Sequence, residues 1–192
     1  MGKRSNFKRV ERDFYPTPRE AVIPLVPHLS EGDYWEPCAG DGALVDHIFD
    51  LTKGGLFCSY ATDIEPRGSG IFKKNALEGL WVQPFPLDYI ITNPPWARSI
   101  LHPMIDHFRN LRPTWLLFDA DWMHTKQSTP FMTYCHKIVS VGRVKWIPDS
   151  KHTGKDNCCW YLFDKHEAPT VFHGRQDAND RSTPVTHPSN MD

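Results

Sequence analysis

The chain has 192 residues, of which 40% are apolar, enough for one domain with a single hydrophobic core. No apolar run approaches the roughly 20 residues of a membrane span, and the five cysteines and ten histidines lack the paired spacing of a zinc site. The net charge of −1 argues against a strongly basic nucleic-acid coat. We therefore expect a soluble cytoplasmic protein with reduced thiols, no metal and no membrane contact.

The predicted elements alternate between strands and helices after a basic, flexible arm over residues 1–12. A first helix is expected from Pro18, shortened or kinked by Pro24 and Pro27. Further helices are predicted over 43–50 and 99–109, and strands over 34–35, 56–62, 88–92, 114–119, 138–147 and 158–163. This pattern predicts an α/β fold with a largely parallel central sheet and an antiparallel C-terminal edge. One domain is expected over 13–166, followed by a disordered tail over 167–192.

The first chemical motif is the segment WEPCAGDG at residues 35–42, where a strand ends in an acidic residue and a G-x-G turn precedes a helix. Gly40 and Gly42 remove side chains where the backbone must turn and approach a nucleotide-like ligand. The third glycine of the dinucleotide fingerprint is absent at Val45, which favours a cofactor without phosphates. A simple tight strand–helix turn would leave the same pattern.

A second acidic position lies in ATDIEP at residues 61–66, where the next predicted strand ends. A carboxylate there can accept hydrogen bonds from both hydroxyls of a ribose. Asp63 is the predicted ligand and Glu65 the alternative, and a solvated acid at a strand end is the simpler explanation for either one.

The most specific motif is Asn93-Pro94-Pro95-Trp96, directly after a buried strand. The two prolines fix the backbone in a rigid extended turn, which presents the Asn93 side-chain oxygen and the Pro94 carbonyl to a ligand crevice. Trp96 offers a face on which a base can stack. An Asn-Pro turn with a packing tryptophan would look the same in isolation.

Together these motifs resemble the class I S-adenosylmethionine (SAM)-dependent amino-group methyltransferases of DNA, over roughly residues 13–125. The family's catalytic tetrapeptide is [N/D/S]-P-P-[Y/F/W], whose asparagine form with an aromatic fourth residue favours the N6 of adenine. The resemblance implies a Rossmann-like fold, SAM as cofactor and Asn93, Pro94, Pro95 and Trp96 as catalytic residues. The cofactor-binding residues it implies are Tyr15, Thr17, Pro18, Glu36, Pro37, Cys38, Ala39, Gly40, Gly42, Asp63, Ile64, Asn75, Ala76 and Asn93. Asn75 departs from the family, which usually has aspartate there to bond the cofactor's adenine.

DNA is the expected partner, and the two basic segments, residues 1–12 and 136–155, could hold its phosphates or form solvated faces. Little chain follows Asn93, so the resemblance is to small, stand-alone phage-type enzymes of a bacterial or phage-infected cell. Loops near 123–130 and 146–157 would then read the DNA sequence, unless a partner subunit does. The sequence does not indicate an oligomeric state.

The sequence leaves several alternatives open. The substrate could be cytosine N4, an RNA base or a protein glutamine amide, because each presents an sp² amino group. From another class, the chain could be a catalytically silent SAM-fold subunit that binds nucleic acid or a partner. The intact tetrapeptide speaks against the silent subunit.

Overall fold

The computed structural model describes residues 14–78, 86–147 and 154–175 of the chain. The strands are β1 (Gly32–Glu36), β2 (Leu56–Asp63), β3 (Phe72–Lys73), β4 (Tyr89–Thr92), β5 (Thr114–Asp119), β6 (Cys135–Gly142), β7 (Cys158–Phe163) and β8 (Val171–His173). The α-helices are α1 (Arg19–Val22), α2 (Ala43–Leu51), α3 (Arg98–Arg109) and α4 (Thr129–Met132). Short 3-10 helices cover Ile23–His28, Ala120–His124 and Lys126–Ser128.

In the described part of the chain these strands form one sheet, in the order β3-β2-β1-β4-β5-β7-β6-β8. The five strands from β3 to β5 run parallel, whereas β7 is antiparallel to both β5 and β6. This arrangement confirms the predicted α/β fold, with its largely parallel sheet and antiparallel C-terminal edge.

The central strands are covered on both faces, as their continuous apolar sequences require. In β5, Leu116 and Phe118 pack into one core with α3, while Trp115 and Leu117 pack into a second core with α1 and α2. All four side chains are fully buried. The period of two along a strand therefore divides one apolar run between two cores.

The helix α1 and the 3-10 helix that follows it pack against the second core. Ala21, Val22 and Leu25 are fully buried, and the indole nitrogen of Trp160 in β7 donates a hydrogen bond to the Ala21 carbonyl at 2.8 Å. The helix expected from Pro18 has only one α-helical turn before it continues as the 3-10 helix that contains Pro24 and Pro27. The prolines thus shorten the α-helix, as predicted.

Besides shifts of a few residues at the ends of several elements, the structure differs from the sequence predictions in three ways. The strand predicted over 138–147 ends at Gly142, whose φ of +87° breaks the extended backbone. The two-residue strand β3 was not predicted, because two residues carry no periodic signal. The disordered tail predicted from 167 is wrong at Val171–His173, which forms β8 parallel to β6. The predicted arm over 1–12 and residues 176–192 of the tail lie outside the described residues.

The strand order places a crossover beside the centre of the sheet. β1 lies between β2 and β4, so the connections that leave β1 and β4 diverge and open a crevice at the carboxyl ends of these strands. Open α/β sheets bind ligands at such a point. Glu36, Asp63 and Thr92 are the last residues of β1, β2 and β4, respectively.

Candidate functional site

A crevice of about 730 Å³ lies at the carboxyl ends of β1, β2 and β4. Segments far apart in sequence meet there, because the parallel strands end at one edge of the sheet. Of the residues predicted to form a site, Tyr15, Thr17, Glu36, Pro37, Cys38, Ala39, Gly40, Asp63, Ile64, Asn75, Ala76, Asn93 and Pro95 line this crevice.

The glycine turn brings backbone to the wall of the crevice. Gly40 has a φ of +56° and Gly42, the residue before α2, a φ of +94°, and both values favour glycine. A Cβ on Gly40 would lie 2.7 Å from the Phe14 ring, so this glycine also allows Phe14 to pack against the turn.

Asp63 is tied to that turn. One carboxylate oxygen accepts a hydrogen bond from the Gly40 amide at 2.8 Å, and the other accepts one from the Glu65 amide at 2.7 Å. Each carboxylate oxygen has a further lone pair to offer. The two bonds fix the orientation of a carboxylate that lines the crevice.

Glu36 is a buried carboxyl group with only 1% of its surface exposed, and its Oε2 has no hydrogen-bond partner among the described residues. Burial raises the pKa of Glu36 well above its usual value, and the neighbouring Asp63 carboxylate raises it further, against a smaller opposing effect of the Thr92 hydroxyl. A buried carboxyl group with an unpartnered oxygen, at the wall of a crevice, is suited to a cationic ligand.

The side chains of Cys38 and Asn75, two other predicted residues, are less free to act on a ligand. Burial raises the pKa of the Cys38 thiol far above its usual value, so Cys38 is not a thiolate nucleophile. The Asn75 side chain is engaged in its own turn, where its oxygen accepts from the Leu77 amide at 3.2 Å and its nitrogen donates to Glu78 at 2.9 Å. An additional bond from Asn75 to a ligand would have to use its remaining hydrogen-bonding capacity.

Asn93 reaches the crevice from the end of β4. Its side-chain nitrogen donates to the Thr17 hydroxyl at 3.2 Å, and its oxygen accepts from the Trp96 indole nitrogen at 3.4 Å. Trp96 itself packs edge-on against Trp146, with ring centroids 5.8 Å apart. Four predicted residues, Pro18, Gly42, Pro94 and Trp96, adjoin lining residues in the chain but are not among those that line the crevice.

Sequence reasoning missed part of the wall. Phe14 and Arg67 lie together, with the Arg67 guanidinium 4.0 Å above the Phe14 ring, and the Arg67 amide donates to the Gly40 carbonyl at 2.8 Å. Phe14 lies within residues 13–18, which resemble the family's N-terminal segment that closes over SAM, whereas no motif in the sequence indicated Arg67. The other lining residues that were not among the predicted site residues are Leu44, Ile100 and Met104, together with Pro16, Asp41 and Leu77, which lie inside predicted motifs.

None of the helices in the described ranges is both long and apolar enough to cross a membrane. Within residues 14–78, 86–147 and 154–175, no three His, Cys, Asp or Glu side chains are grouped in a way that could hold a metal ion.

Comparisons with known proteins gave matches in structure alone. No protein-family model and no curated protein matches the chain. A protein assigned as a modification subunit of a type I restriction enzyme from Vibrio vulnificus aligns at 14% identity and a TM-score of 0.54, over 88% of this chain and 48% of its own. A protein assigned as an RNA methyltransferase from Pyrococcus horikoshii aligns at 17% identity with a TM-score of 0.54, over 84% of this chain and 92% of its own. A methyltransferase subunit of the type I restriction-modification system from Streptococcus thermophilus aligns at 9% identity with a TM-score of 0.54, over 83% of this chain and 47% of its own.

This chain thus spans about half the length of the two restriction-system subunits and most of the Pyrococcus protein. At such low identities the alignments show the fold. The chain has the Rossmann-like fold of the class I SAM-dependent methyltransferases.

Proposed function

We propose that the chain binds SAM in the crevice and transfers its methyl group to an exocyclic amino group, that of adenine N6 in DNA. The observation that carries the proposal is the meeting of three motifs: Asn93 and Pro95 line the same crevice as Glu36, Gly40 and Asp63. A methyl acceptor bound at Asn93 would therefore lie beside a cofactor bound at the glycine turn.

The charge of the crevice fits SAM, which carries a sulfonium and an ammonium group against one carboxylate. Among the described residues, four that line the crevice carry carboxyl groups, namely Glu36, Asp41, Asp63 and Glu65, whereas Arg67 is the one arginine or lysine among them. The Glu36 Oε2, which has no hydrogen-bond partner among the described residues, would bind the cationic part from the crevice wall, and the fixed carboxylate of Asp63 would bind the ribose. The volume of about 730 Å³ is also within the range of cofactor pockets, roughly 300–1,000 Å³.

SAM supplies an activated methyl group on its sulfonium. The task of the chain is to position the acceptor and expose its lone pair, which in an aromatic amine is delocalised into the ring. If the Asn93 oxygen and the Pro94 carbonyl each accept one N–H, the nitrogen is drawn toward a pyramidal geometry and its lone pair becomes available. Alignment then supplies much of the remaining rate, and the mechanism requires no covalent nucleophile. The nitrogen would form its bond to the methyl carbon as the bond from that carbon to the SAM sulfur breaks. S-adenosylhomocysteine would leave with the electron pair of that bond, and the methylated nitrogen would release one N–H proton to solvent.

DNA adenine is the substrate that the tetrapeptide favours, because Asn93 with an aromatic fourth residue is the form that resembles the N6-adenine enzymes. Two of the structural neighbours are subunits of type I restriction systems, which supports DNA, whereas the Pyrococcus neighbour keeps an RNA base as the nearest alternative. A base in duplex DNA must be flipped out to reach the site. Trp96 and Trp146 form an aromatic corner where such a base could stack.

The first test is the transfer of label from methyl-labelled SAM to duplex DNA, RNA and protein in parallel reactions. We expect label in DNA, with N6-methyladenine as the modified nucleoside. If the product is N4-methylcytosine or labelled RNA, the substrate is cytosine or an RNA base instead of DNA adenine, and the mechanism is unchanged. Label in protein alone would contradict a nucleic-acid substrate, and no transfer to any acceptor would favour the silent subunit.

Replacement of Asp63 by alanine should weaken SAM binding by about 10- to 100-fold, because hydrogen bonds to a charged group contribute roughly 1.5–3 kcal/mol. Isothermal titration calorimetry measures the affinity, and thermal unfolding checks that the turn, which loses two hydrogen bonds, stays folded. The exposed Asp46 of α2 provides a matched control, Asp46→Ala. Unchanged SAM affinity in Asp63→Ala would refute the ribose assignment.

A further inference from the structure

Thr17 and Asn93 are 76 residues apart in sequence, yet the Asn93 side-chain nitrogen donates a hydrogen bond to the Thr17 hydroxyl at 3.2 Å. Thr17 has 5% of its surface exposed, so the bond lies mostly shielded from water. Both residues line the crevice. This hydrogen bond connects the segment before α1 directly to the proposed catalytic tetrapeptide, residues 93–96.

Two partners together fix the Asn93 amide. An indole N–H is a donor only, so Trp96 must face the amide oxygen, at 3.4 Å. A hydroxyl can accept as well as donate, so Thr17 accepts from the NH₂ end. The oxygen is thus directed away from Thr17, and a rotation of the amide by 180° would set two donors, the Trp96 N–H and the Asn93 NH₂, against each other.

This orientation matters because the proposed mechanism uses the Asn93 oxygen as an acceptor. An amino group that approaches Asn93 offers N–H donors, as the Trp96 indole does in this structure. When the amino group takes over the oxygen, Thr17 still holds the nitrogen end. The plane of the amide then does not change as the substrate enters.

Thr17 is itself held rigidly. Pro16 and Pro18 flank it, and a following proline restricts Thr17 to an extended backbone. Immediately after Pro18, α1 is anchored by the bond from the Trp160 indole to the Ala21 carbonyl and by the bond from the Lys145 amide to the Glu20 carboxylate, each at 2.8 Å. The hydroxyl is therefore presented from a fixed part of the backbone rather than from a loose strap.

We propose that Thr17 is a positioning residue, whose hydroxyl holds the Asn93 amide in the orientation that accepts the substrate amino group. The inference rests on the proposed methyl transfer and extends it by assigning the N-terminal segment a role in the chemical step. The resemblance implies only cofactor binding for Thr17, and the two roles predict different kinetics.

The first test compares Thr17→Val, which keeps the shape and removes the hydroxyl, with Thr17→Ser, which keeps the hydroxyl. With SAM and DNA saturating, kcat of Thr17→Val should fall about 2- to 12-fold, the equivalent of one hydrogen bond, while the affinity for SAM changes less than about 2-fold. Thr17→Ser should restore most of kcat. Thr170→Val, which removes a hydroxyl bonded to the Cys135 carbonyl outside the crevice, should leave kcat unchanged.

The second test does not depend on activity. Asparagine labelled with ¹⁵N makes the Asn93 side-chain amide visible by NMR, and the Asn93→Ala spectrum assigns it. Its hydrogen exchange should be several-fold faster in Thr17→Val than in the wild type or in Thr17→Ser, because the donor loses its acceptor.

The outcomes separate the two proposals. A wild type that methylates no acceptor refutes the proposed function, and unaltered amide exchange in Thr17→Val then also refutes the positioning role. If the wild type is active but Thr17→Val has weaker SAM binding and an unchanged kcat, Thr17 is a cofactor-binding residue and the positioning role is wrong.

Discussion

Replacement of Asn93 by alanine should reduce kcat by about 10²- to 10³-fold, the largest effect that we expect from any single substitution in the crevice. The proposed role of its oxygen is to accept an N–H as the substrate nitrogen becomes pyramidal, and removal of one such preorganised group in other enzymes has a cost of this order. SAM affinity should change by about 10-fold at most, the equivalent of one neutral hydrogen bond. Labelled-SAM kinetics and calorimetry measure the two quantities.

Two variants make the Asn93 result specific. Asn93→Asp keeps an acceptor and should retain more activity than Asn93→Ala. Asn110→Ala removes an asparagine at the end of α3, whose side chain bonds the Asp106 carbonyl, and should be as active as the wild type. Equal, background-level rates in the wild type and Asn93→Ala would instead identify a silent subunit.

Replacement of Glu36 by glutamine should stabilise the fold and weaken SAM binding. The pKa of Glu36 is raised well above its value of about 4.3 in an unfolded chain, chiefly by burial. Its contribution to stability is therefore fully present below about pH 4.3 and is lost as the pH rises through the folded-state pKa, where the fold must hold a buried carboxylate. Glutamine cannot ionise, so it avoids this loss.

The expected difference has a defined dependence on pH. The melting temperatures of Glu36→Gln and the wild type should be similar near pH 4, and the variant should become the more stable protein as the pH rises. Each unit by which the folded pKa exceeds the unfolded one is equivalent to about 1.4 kcal/mol. Thermal unfolding over this pH range measures it, with Glu31→Gln at an exposed position as the control. A melting temperature of Glu36→Gln below that of the wild type at neutral pH would contradict the assigned burial cost.

Cofactor binding should show the opposite preference. A cationic ligand beside Glu36 lowers the pKa of the carboxyl group and releases its proton, so wild-type SAM affinity should increase with pH until Glu36 is ionised in the free protein as well. Glu36→Gln should lose this dependence and bind SAM about 10- to 100-fold more weakly, because a charge-assisted bond is removed. Calorimetry in buffers of different ionisation enthalpy would detect the released proton.

The motifs and most of the strands were readable from the sequence because their physical causes are local. Gly40 and Gly42 allow backbone angles that other residues rarely adopt. The two prolines after Asn93 restrict the backbone whatever their tertiary surroundings. The apolar runs of β5 and β7 predict buried strands without reference to a partner, and these strands form over the predicted residues. The order of the motifs along the chain then indicates the fold.

The sequence alone determined the chemistry that the chain can offer: an Asn-Pro-Pro-Trp turn, a glycine turn and acidic strand ends. The tertiary structure decided which of these groups meet. Three contacts join segments that are distant in the chain: the pairing of β8 with β6, the bond between Thr17 and Asn93, and the contact of Arg67 with Phe14. The burial of the unpartnered Glu36 oxygen likewise depends on the residues that the fold places around it. No local pattern encodes such contacts, because the energy of a hydrogen bond or of a buried charge depends on neighbours that only the folded chain supplies.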